Sequence, residues 1–457
     1  MSFTKKIYFF SFILSFLFNI IIFFLFYKNL VTNNYIFNNS YIFEELYSLS
    51  SYNYTFKNFK ISIDLYGLII LLIAHFVALI SYSILTKKLY WSSYKYIYIC
   101  NFIVVIIYIF TSTTDIITFF IAYELLLLPS ILFVYYISPI NSSLYACIHF
   151  LVWTQIGSII VLFVVGYIIT TTNSVDFINI LNFKFTFIES KLLFFFLFVG
   201  FGCKIPIWPL YSWLLTTHVE APTGFSIFLS GFLVKTAIYG FYKLTSLIIT
   251  NVGDTSVYLA WCLLGSIDSS LKLWNQNDLK KLIAYCTVQE MNLIYSCFIV
   301  GDSQLINIGF LFCITHALLS TLFFFLVDSV YTRNKTRNLL KLIGLFKLNP
   351  KLSWLIFLSC IIFSGIPGSL KFVCEIVILI SYFEVSRVII IIILFLINYA
   401  GILGFFKCWF GVLFGDKIKS NVTKNKSKFD LTRKEFNIIL LCNFLLIILT
   451  YFIDWIY

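Results

Sequence analysis

Charged residues are scarce. Asp, Glu, Lys and Arg make up only 11% of the 457 residues, against about 25% in ordinary soluble domains. Too little polar surface remains to coat a globule of this size, which excludes a water-soluble fold. Histidine occurs four times, at His75, His149, His218 and His316, too few and too scattered for paired haem ligation. The eleven cysteines form no C-x-x-C pair, and most (Cys100, Cys147, Cys203, Cys262, Cys313 and Cys360 among them) lie inside apolar runs. That spacing argues against zinc and iron–sulfur sites. The residues point to a chain with no redox cofactor of its own.

What the sequence has is long apolar stretches, with 61% hydrophobic and 20% aromatic residues. Apolar runs fall at about 7–27, 63–85, 97–113, 115–138, 144–170, 192–208, 222–245, 255–273, 281–300, 304–330, 353–366, 371–385, 388–414 and 436–457. Backbone polar groups in lipid are satisfied only by helices or closed barrels. Barrel strands alternate over about ten residues, whereas these runs are longer and uniformly apolar. The reading is an all-α polytopic membrane protein with about fourteen transmembrane helices. The run after Lys5 and Lys6 is too long for the core of a secretory signal and lacks a small-residue cleavage site. It reads as the first span.

The net charge is +12, but the cations collect in short segments between apolar runs. Examples are Lys87, Lys88 and Lys95, the stretch from Arg333 to Lys351, and Lys417 to Lys434. Loop cations of this kind set membrane topology, and no basic soluble domain exists to bind nucleic acid. The abundance of Phe, Ile, Asn, Lys and Tyr resembles translation of an AT-rich genome, a hint of organellar coding. The longest polar stretch, about 31–61, reads as an extramembrane loop.

Two segments interrupt the helices. GCKIPIWPLYSWLLTTHVEAP, residues 202–222, contains Pro206, Pro209 and Pro222 and is expected to leave the membrane, run along its surface and re-enter. FSGIPGSLK, residues 363–371, places Gly365, Pro367 and Gly368 between apolar runs. Broken helices at corresponding places in two halves mark inverted-repeat transporters, and each break precedes a charged residue within a span, Lys235 or Glu375.

Ionisable groups inside the membrane are expensive: a lysine at the bilayer centre costs about 2.5–3.5 kcal/mol. Lys235 sits near mid-span, too deep for its ammonium to reach the interface easily. Glu124, in FFIAYELLLLPSILF, is flanked by apolar residues on both sides; it reads as a proton carrier or as half of a structural ion pair. Glu375 is similar. His316 reads as a core histidine or as a relay. Lys280 and Lys281 sit at a span boundary beside Asp278 and read, taken alone, as interfacial anchors, whereas Glu290 lies inside its run. Acids, amines and an imidazole strung across many helices make a lateral proton path; a solute pocket would concentrate its polar groups at one midplane site.

The stretch KIPIWPLYSWLLTTHVEAPTGFSIFLSGFLVK, residues 204–235, resembles the K-[LM]-P-x-[WYF]-P-x-x-x-W-L-P-D-A-H-x-E-A-P-x-x-x-S-x-x-L-A-G-x-L-x-K segment of the antiporter-like membrane-arm subunits of respiratory complex I. NDLKKLIAYCTVQEMN is similar to that family's D-[LM]-K-x-[LI]-I-A-Y-S-S-[VI]-S-H-M. AYELLLLP, CITHALLSTLFFFLVDSVYTRNKTRNL and SGIPGSLKFVCEIVIL resemble further family motifs in family order, over about residues 60–410.

The resemblance implies an antiporter-like fold with two inverted repeats and broken helices, and a role in proton translocation driven by NADH-to-quinone electron transfer elsewhere. It divides a single transmembrane domain, 1–457, into N-terminal helices 1–113, a first half 114–273, a second half 274–414, and a C-terminal loop and last helix 415–457. It makes Glu124 and Lys235 the Glu–Lys pair of the first half-channel, Lys280 the central lysine, His316 the relay and Glu375 the terminal acid. Lys204, His218, Glu220 and Glu290 become coupling or structural residues. It places NADH, FMN, iron–sulfur clusters and ubiquinone on partner subunits. The implied partners are other membrane-arm subunits, further antiporter-like ones included, and membrane lipids; the implied location is the mitochondrial inner membrane.

The match has departures. The family's L-P-D-A-H is Leu214-Leu215-Thr216-Thr217-His218, its S-H-M is Gln289-Glu290-Met291, and the glycine before its terminal acid is Cys374. Two other readings share the composition: a stand-alone cation/proton antiporter subunit with the same motifs, and a scaffold whose charges form structural ion pairs.

Overall fold

The structure is a computed structural model that describes residues 54–56, 59–88, 93–137, 140–248, 254–384, 388–415 and 430–451. Within the stretch read as a loop lies a short antiparallel hairpin, β1 (Tyr54–Phe56) and β2 (Phe59–Ile61), in register Tyr54 to Ile61. Every other regular element is helical: α1 (Leu65–Lys88), α2 (Ser93–Ser112), α3 (Ile116–Leu125), α4 (Leu127–Ile137), α5 (Ile140–Thr172), α6 (Phe177–Leu181), α7 (Phe187–Lys204), α8 (Ser212–Glu220), α9 (Thr223–Phe228), a π-helical turn (Leu229–Leu233), α10 (Val234–Thr245), α11 (Ser256–Leu273), α12 (Leu279–Val300), α13 (Ser303–Asn334), a 3₁₀ turn (Leu339–Lys341), α14 (Leu345–Leu348), α15 (Pro350–Phe363), α16 (Leu370–Glu384), α17 (Val388–Phe414) and α18 (Arg433–Ile448). Among the described residues, eight helices are long and apolar enough to cross a membrane. The expected span at 7–27 lies outside the described residues, as does much of the basic segment 417–434. The other apolar runs all carry helix.

Several of these helices keep an apolar face exposed, while Thr223–Thr245, Leu279–Val300 and Ser303–Asn334 are almost wholly buried. Along α5, Leu144, Ile148, Val152, Ile156, Ile159 and Phe163 are exposed at three- and four-residue spacing, Phe163 by 75%. In water such a row would be a docking or aggregation face; in a bilayer it is the solvated face. The chain is a multi-pass membrane protein.

It folds as two compact units. The first comprises residues 1–137, 151–204 and 232–253. Its interior is aromatic: Phe110 stacks on Phe119 at 4.6 Å and meets Tyr239 edge-on at 5.5 Å. Where α5 meets α7, a Cβ on Gly157 would lie 2.5 Å from the Gly200 carbonyl oxygen, so the two backbones touch only because side chains are missing there.

The second unit comprises residues 138–150, 205–231 and 254–457. Phe363 and Phe405 lie 4.1 Å apart between ring centroids, with Phe323 edge-on to both. Helix α12 opens on Asp278, whose carboxylate accepts from the Lys280 backbone N–H at 2.8 Å, and closes on Gly301 in the left-handed region. Thr432 and Glu435 form a reciprocal capping box at the start of α18.

Each interrupted helix has a local cause. The run 115–138 is two helices meeting at Leu126. Pro129 lacks the N–H that the Leu125 carbonyl needs, and sits in the first turn of α4, where that loss is tolerated. Between α15 and α16, Gly365 (φ 71°) and Gly368 (φ 92°) take the left-handed turn that side chains resist. Segment 202–222 contains the short helix α8, and Pro222 caps the next helix. The run 222–245 is not a uniform α-helix, since the π-helical turn Leu229–Leu233 divides it just before Lys235.

Candidate functional site: buried ionisable groups

In the first unit, Lys235 is fully buried on α10. One turn on stands Tyr239, and one turn further Lys243, on the same face. The Tyr239 hydroxyl donates to Asp64 Oδ1 at 2.7 Å, and Lys243 Nζ donates to the Tyr239 oxygen and to the Thr113 carbonyl, each at 3.3 Å. Glu124 is half-buried in the last turn of α3, where Gln155 Nε2 donates to its Oε2 at 3.3 Å. Lys204 ends α7, buried, with Nζ 3.6 Å from the centroid of the Tyr123 ring and 3.4 Å from the Tyr123 carbonyl. A ring face and a carbonyl dipole both attract the ammonium and offset part of its lost hydration.

In the second unit, Lys280 is buried, and its Nζ donates to the Ala221 carbonyl. Arg337 Nη1 donates to the Val219 carbonyl at 2.8 Å, so two cations meet backbone at the C-terminal end of α8, where the helix dipole is negative. His218, on α8, is buried with its ring stacked on Phe324 at 4.8 Å, while Glu220 is half-buried at the helix end.

The densest grouping lies among α12, α13 and α16. Lys371 Nζ is 2.8 Å from Glu290 Oε1 and 3.7 Å from Glu375 Oε1, and Glu290 Oε2 is 3.9 Å from His316 Nε2. The structure thus brings together three sequence-predicted residues, Glu290, His316 and Glu375, around Lys371, a residue not singled out from sequence. The signal for Lys371 was present: it precedes Glu375 by one helical turn. Asp64, Tyr239 and Lys243, and the buried Asp328 that accepts from Thr223 Oγ1 at 2.5 Å, were likewise not anticipated. No group of three or more metal-ligating side chains occurs among the described residues.

Buried amines, carboxylates and an imidazole in apolar helices can take up, hold and release protons. Proteins of known sequence and structure carry the same framework. Residues 113–399 match the family described as NADH:quinone oxidoreductase/Mrp antiporter, TM. The chain belongs to that family, as its motifs anticipate. It is 43% identical to a Paramecium tetraurelia protein, NADH-ubiquinone oxidoreductase chain 4, over 92% of this chain and 87% of that one. Its fold is similar to that of a chain in respiratory complex I from Thermus thermophilus, with a TM-score of 0.77 and 16% identity, over 90% of this chain and 88% of that one. It resembles equally a chain of the Mrp complex from Dietzia sp. DQ12-45-1b, with a TM-score of 0.77 and 14% identity over 95% and 90% of the two chains. At these identities the two structural likenesses concern the fold.

Proposed function

We propose that this chain is a proton-translocating membrane-arm subunit of respiratory complex I in the mitochondrial inner membrane. Electron transfer from NADH to ubiquinone runs in partner subunits, which carry FMN and the iron–sulfur clusters, and this chain couples to it by moving protons. The observation that carries the reading is Lys235, fully buried in the apolar helical stretch Thr223–Thr245 of 23 residues. A buried ammonium there is a standing cost of a few kcal/mol, and its use is the uptake and release of a proton within the membrane. Similarity to the Paramecium protein supports the assembly and the compartment.

Glu124 and Lys235 serve the first half of the path. Lys280, His316 and Glu375 serve the second, and Lys204, His218, Glu220 and Glu290 tune or couple the carriers. Over the fourteen spans, two inverted repeats would each supply one half-channel.

The likeness to the Mrp complex chain keeps a second reading testable: a cation/proton antiporter subunit outside complex I. Native gel electrophoresis of solubilised organelle membranes, with in-gel NADH dehydrogenase staining and mass spectrometry, separates the two. The chain is expected in the NADH-oxidising band; migration with antiporter partners alone would replace the first reading by the second. Within the assembled complex, Lys235→Met is expected to abolish most NADH-driven proton pumping while leaving the band intact. Unchanged pumping would reduce Lys235 to a scaffold charge.

A further inference from the structure

The grouping of Glu290, Lys371, Glu375 and His316 holds two acids, one amine and an imidazole largely buried among packed helices. The Lys371, Glu290 and His316 side chains are exposed by 5% or less, and that of Glu375 by 14%. With both carboxylates ionised, the ammonium charged and the imidazole neutral, the cluster carries one net negative charge. Isolated charge in a low-dielectric site is strongly disfavoured, so the cluster is stable when it holds one additional proton. That proton has three resting places, His316, Glu290 and Glu375, and Lys371 lies between the two carboxylates.

We infer that Lys371 is a switching countercharge: it pairs with whichever of Glu290 and Glu375 is ionised, and so lets one proton pass from His316 to Glu290 to Glu375 at constant net charge. The inference deepens the proton-translocation reading and rests on it. In the first step the His316 Nε2–H bond breaks and an O–H bond forms on Glu290 Oε2. The separation of 3.9 Å calls for a bridging water or a small side-chain rotation. Glu290 is then neutral, and the Lys371 ammonium, 2.8 Å from Glu290, has its remaining charged partner in Glu375 at 3.7 Å. In the second step the Glu290 O–H bond breaks, an O–H bond forms on Glu375, and the ammonium returns to the Glu290 carboxylate. Each state holds one proton beyond those of a neutral imidazole and two carboxylates, together with one ammonium, and has zero net charge; no electrons are exchanged.

Three features of the surroundings suit a short swing. The Phe363 ring lies 3.6 Å from Nζ and attracts the cation independently of either acid. Lys371 and Glu375 share a helical face one turn apart, so one flexible side chain spans both contacts without backbone movement. Gly365, at φ 71°, brings the α15–α16 turn so close that a Cβ there would lie 2.9 Å from Glu375 Oε2. The turn therefore limits how far the Glu375 carboxylate can move toward it. Lys371 is a positioning residue here, and the three proton carriers are the groups it serves.

The alternative is a static ion pair that only holds α12 to α16. Variants in the assembled complex, reconstituted into proteoliposomes, separate the two: NADH oxidation and pH-dye uptake give protons moved per NADH oxidised. Lys371→Met is expected to lower that ratio severalfold, and Lys371→Arg to restore most of it. The double variant Glu290→Gln, Lys371→Met removes both partners of the 2.8 Å pair and leaves a single carboxylate, Glu375, which the cluster's additional proton neutralises; removal of both partners of a buried pair is tolerated far better than removal of one. It is expected to assemble like the wild type and still pump poorly. If Lys371→Met fails to assemble, Lys371→Gln, which keeps a polar side chain without the charge, carries the test and is expected to pump as poorly. Wild-type pumping by Lys371→Met or by the double variant overturns the inference. Lys235→Met in the same vesicles distinguishes the failures: if it too pumps normally, the proton-translocation reading falls, and if it alone is defective, only the role of Lys371 does.

Discussion

Tyr239 joins Asp64 and Lys243: its hydroxyl donates to the carboxylate at 2.7 Å and accepts from the ammonium at 3.3 Å, linking groups 175 and four residues away in the chain. Tyr239→Phe removes both contacts and keeps the ring against Phe110. A buried hydrogen-bonded group left short of a partner costs about 1–3 kcal/mol, so the variant should lower the melting temperature of the solubilised complex. Combined with Asp64→Asn it should cost less than the sum of the two single losses, because both remove one interaction. Strict additivity would mean that the contact contributes nothing.

Thr223 opens α9 and donates to the buried Asp328 carboxylate on α13 at 2.5 Å. Thr223→Val preserves shape and removes the donor. The expected loss is about 1–3 kcal/mol, read as earlier thermal unfolding, with Thr223→Ser retaining most of the stability. Equal behaviour of Val and Ser would assign the position to packing.

Gly365 and Gly368 both occupy the left-handed region, but only Gly365 adjoins a side chain, that of Glu375. Alanine at either strains the backbone by about 1–3 kcal/mol. Gly365→Ala should in addition displace Glu375, and so reduce proton pumping well below that of Gly368→Ala at similar stability. Matching pumping in the two variants would remove the link between the turn and the carboxylate.

At the start of α7, Thr186 donates to Glu189 through its backbone N–H at 2.9 Å and its hydroxyl at 2.8 Å, and Tyr167 donates to the other carboxylate oxygen at 2.7 Å. These bonds, the backbone one foremost, hold the Glu189 carboxyl below its ordinary value. A lowered folded-state value stabilises the folded end above the ordinary carboxylate range, and that contribution is lost as pH falls through the lowered value. Amide hydrogen exchange in the first turn of α7 should therefore rise, beyond its intrinsic pH dependence, below about pH 4. Glu189→Gln should show that faster exchange already at neutral pH.

The helical class and the ionisable residues within spans were legible because lipid tolerates so few alternatives. A charge within an apolar run stands out, as Lys235, Glu290 and His316 do. Lys371 did not stand out because it follows Gly-Ser-Leu at the edge of a run and reads as part of the break; its nearest partner, Glu290, is 81 residues earlier. Asp64 and Lys243 were hidden in the same way, at the ends of spans where cations and anions are ordinary. The run 115–138 reads as one span; the signal for its division was Pro129. The π-helical turn was not, since Leu-Ser-Gly-Phe-Leu is compatible with an uninterrupted helix.

That turn has a consequence for which sequence changes the segment can bear. Each α-helical residue advances the chain by about 100° around the axis, and a π turn accommodates one residue more than an α turn. Everything after Leu233 is therefore rotated, relative to a regular helix beginning at Thr223, by about one residue's worth of bearing. Side chains within Leu229–Leu233 can be exchanged without altering that bearing, but their number cannot. Losing one residue would turn Lys235, Tyr239 and Lys243 together to a different quarter of the helix with no change in their chemistry. The segment acts as a spacer whose length, rather than its chemistry, sets that bearing, and single-residue deletions there should be far more damaging than substitutions.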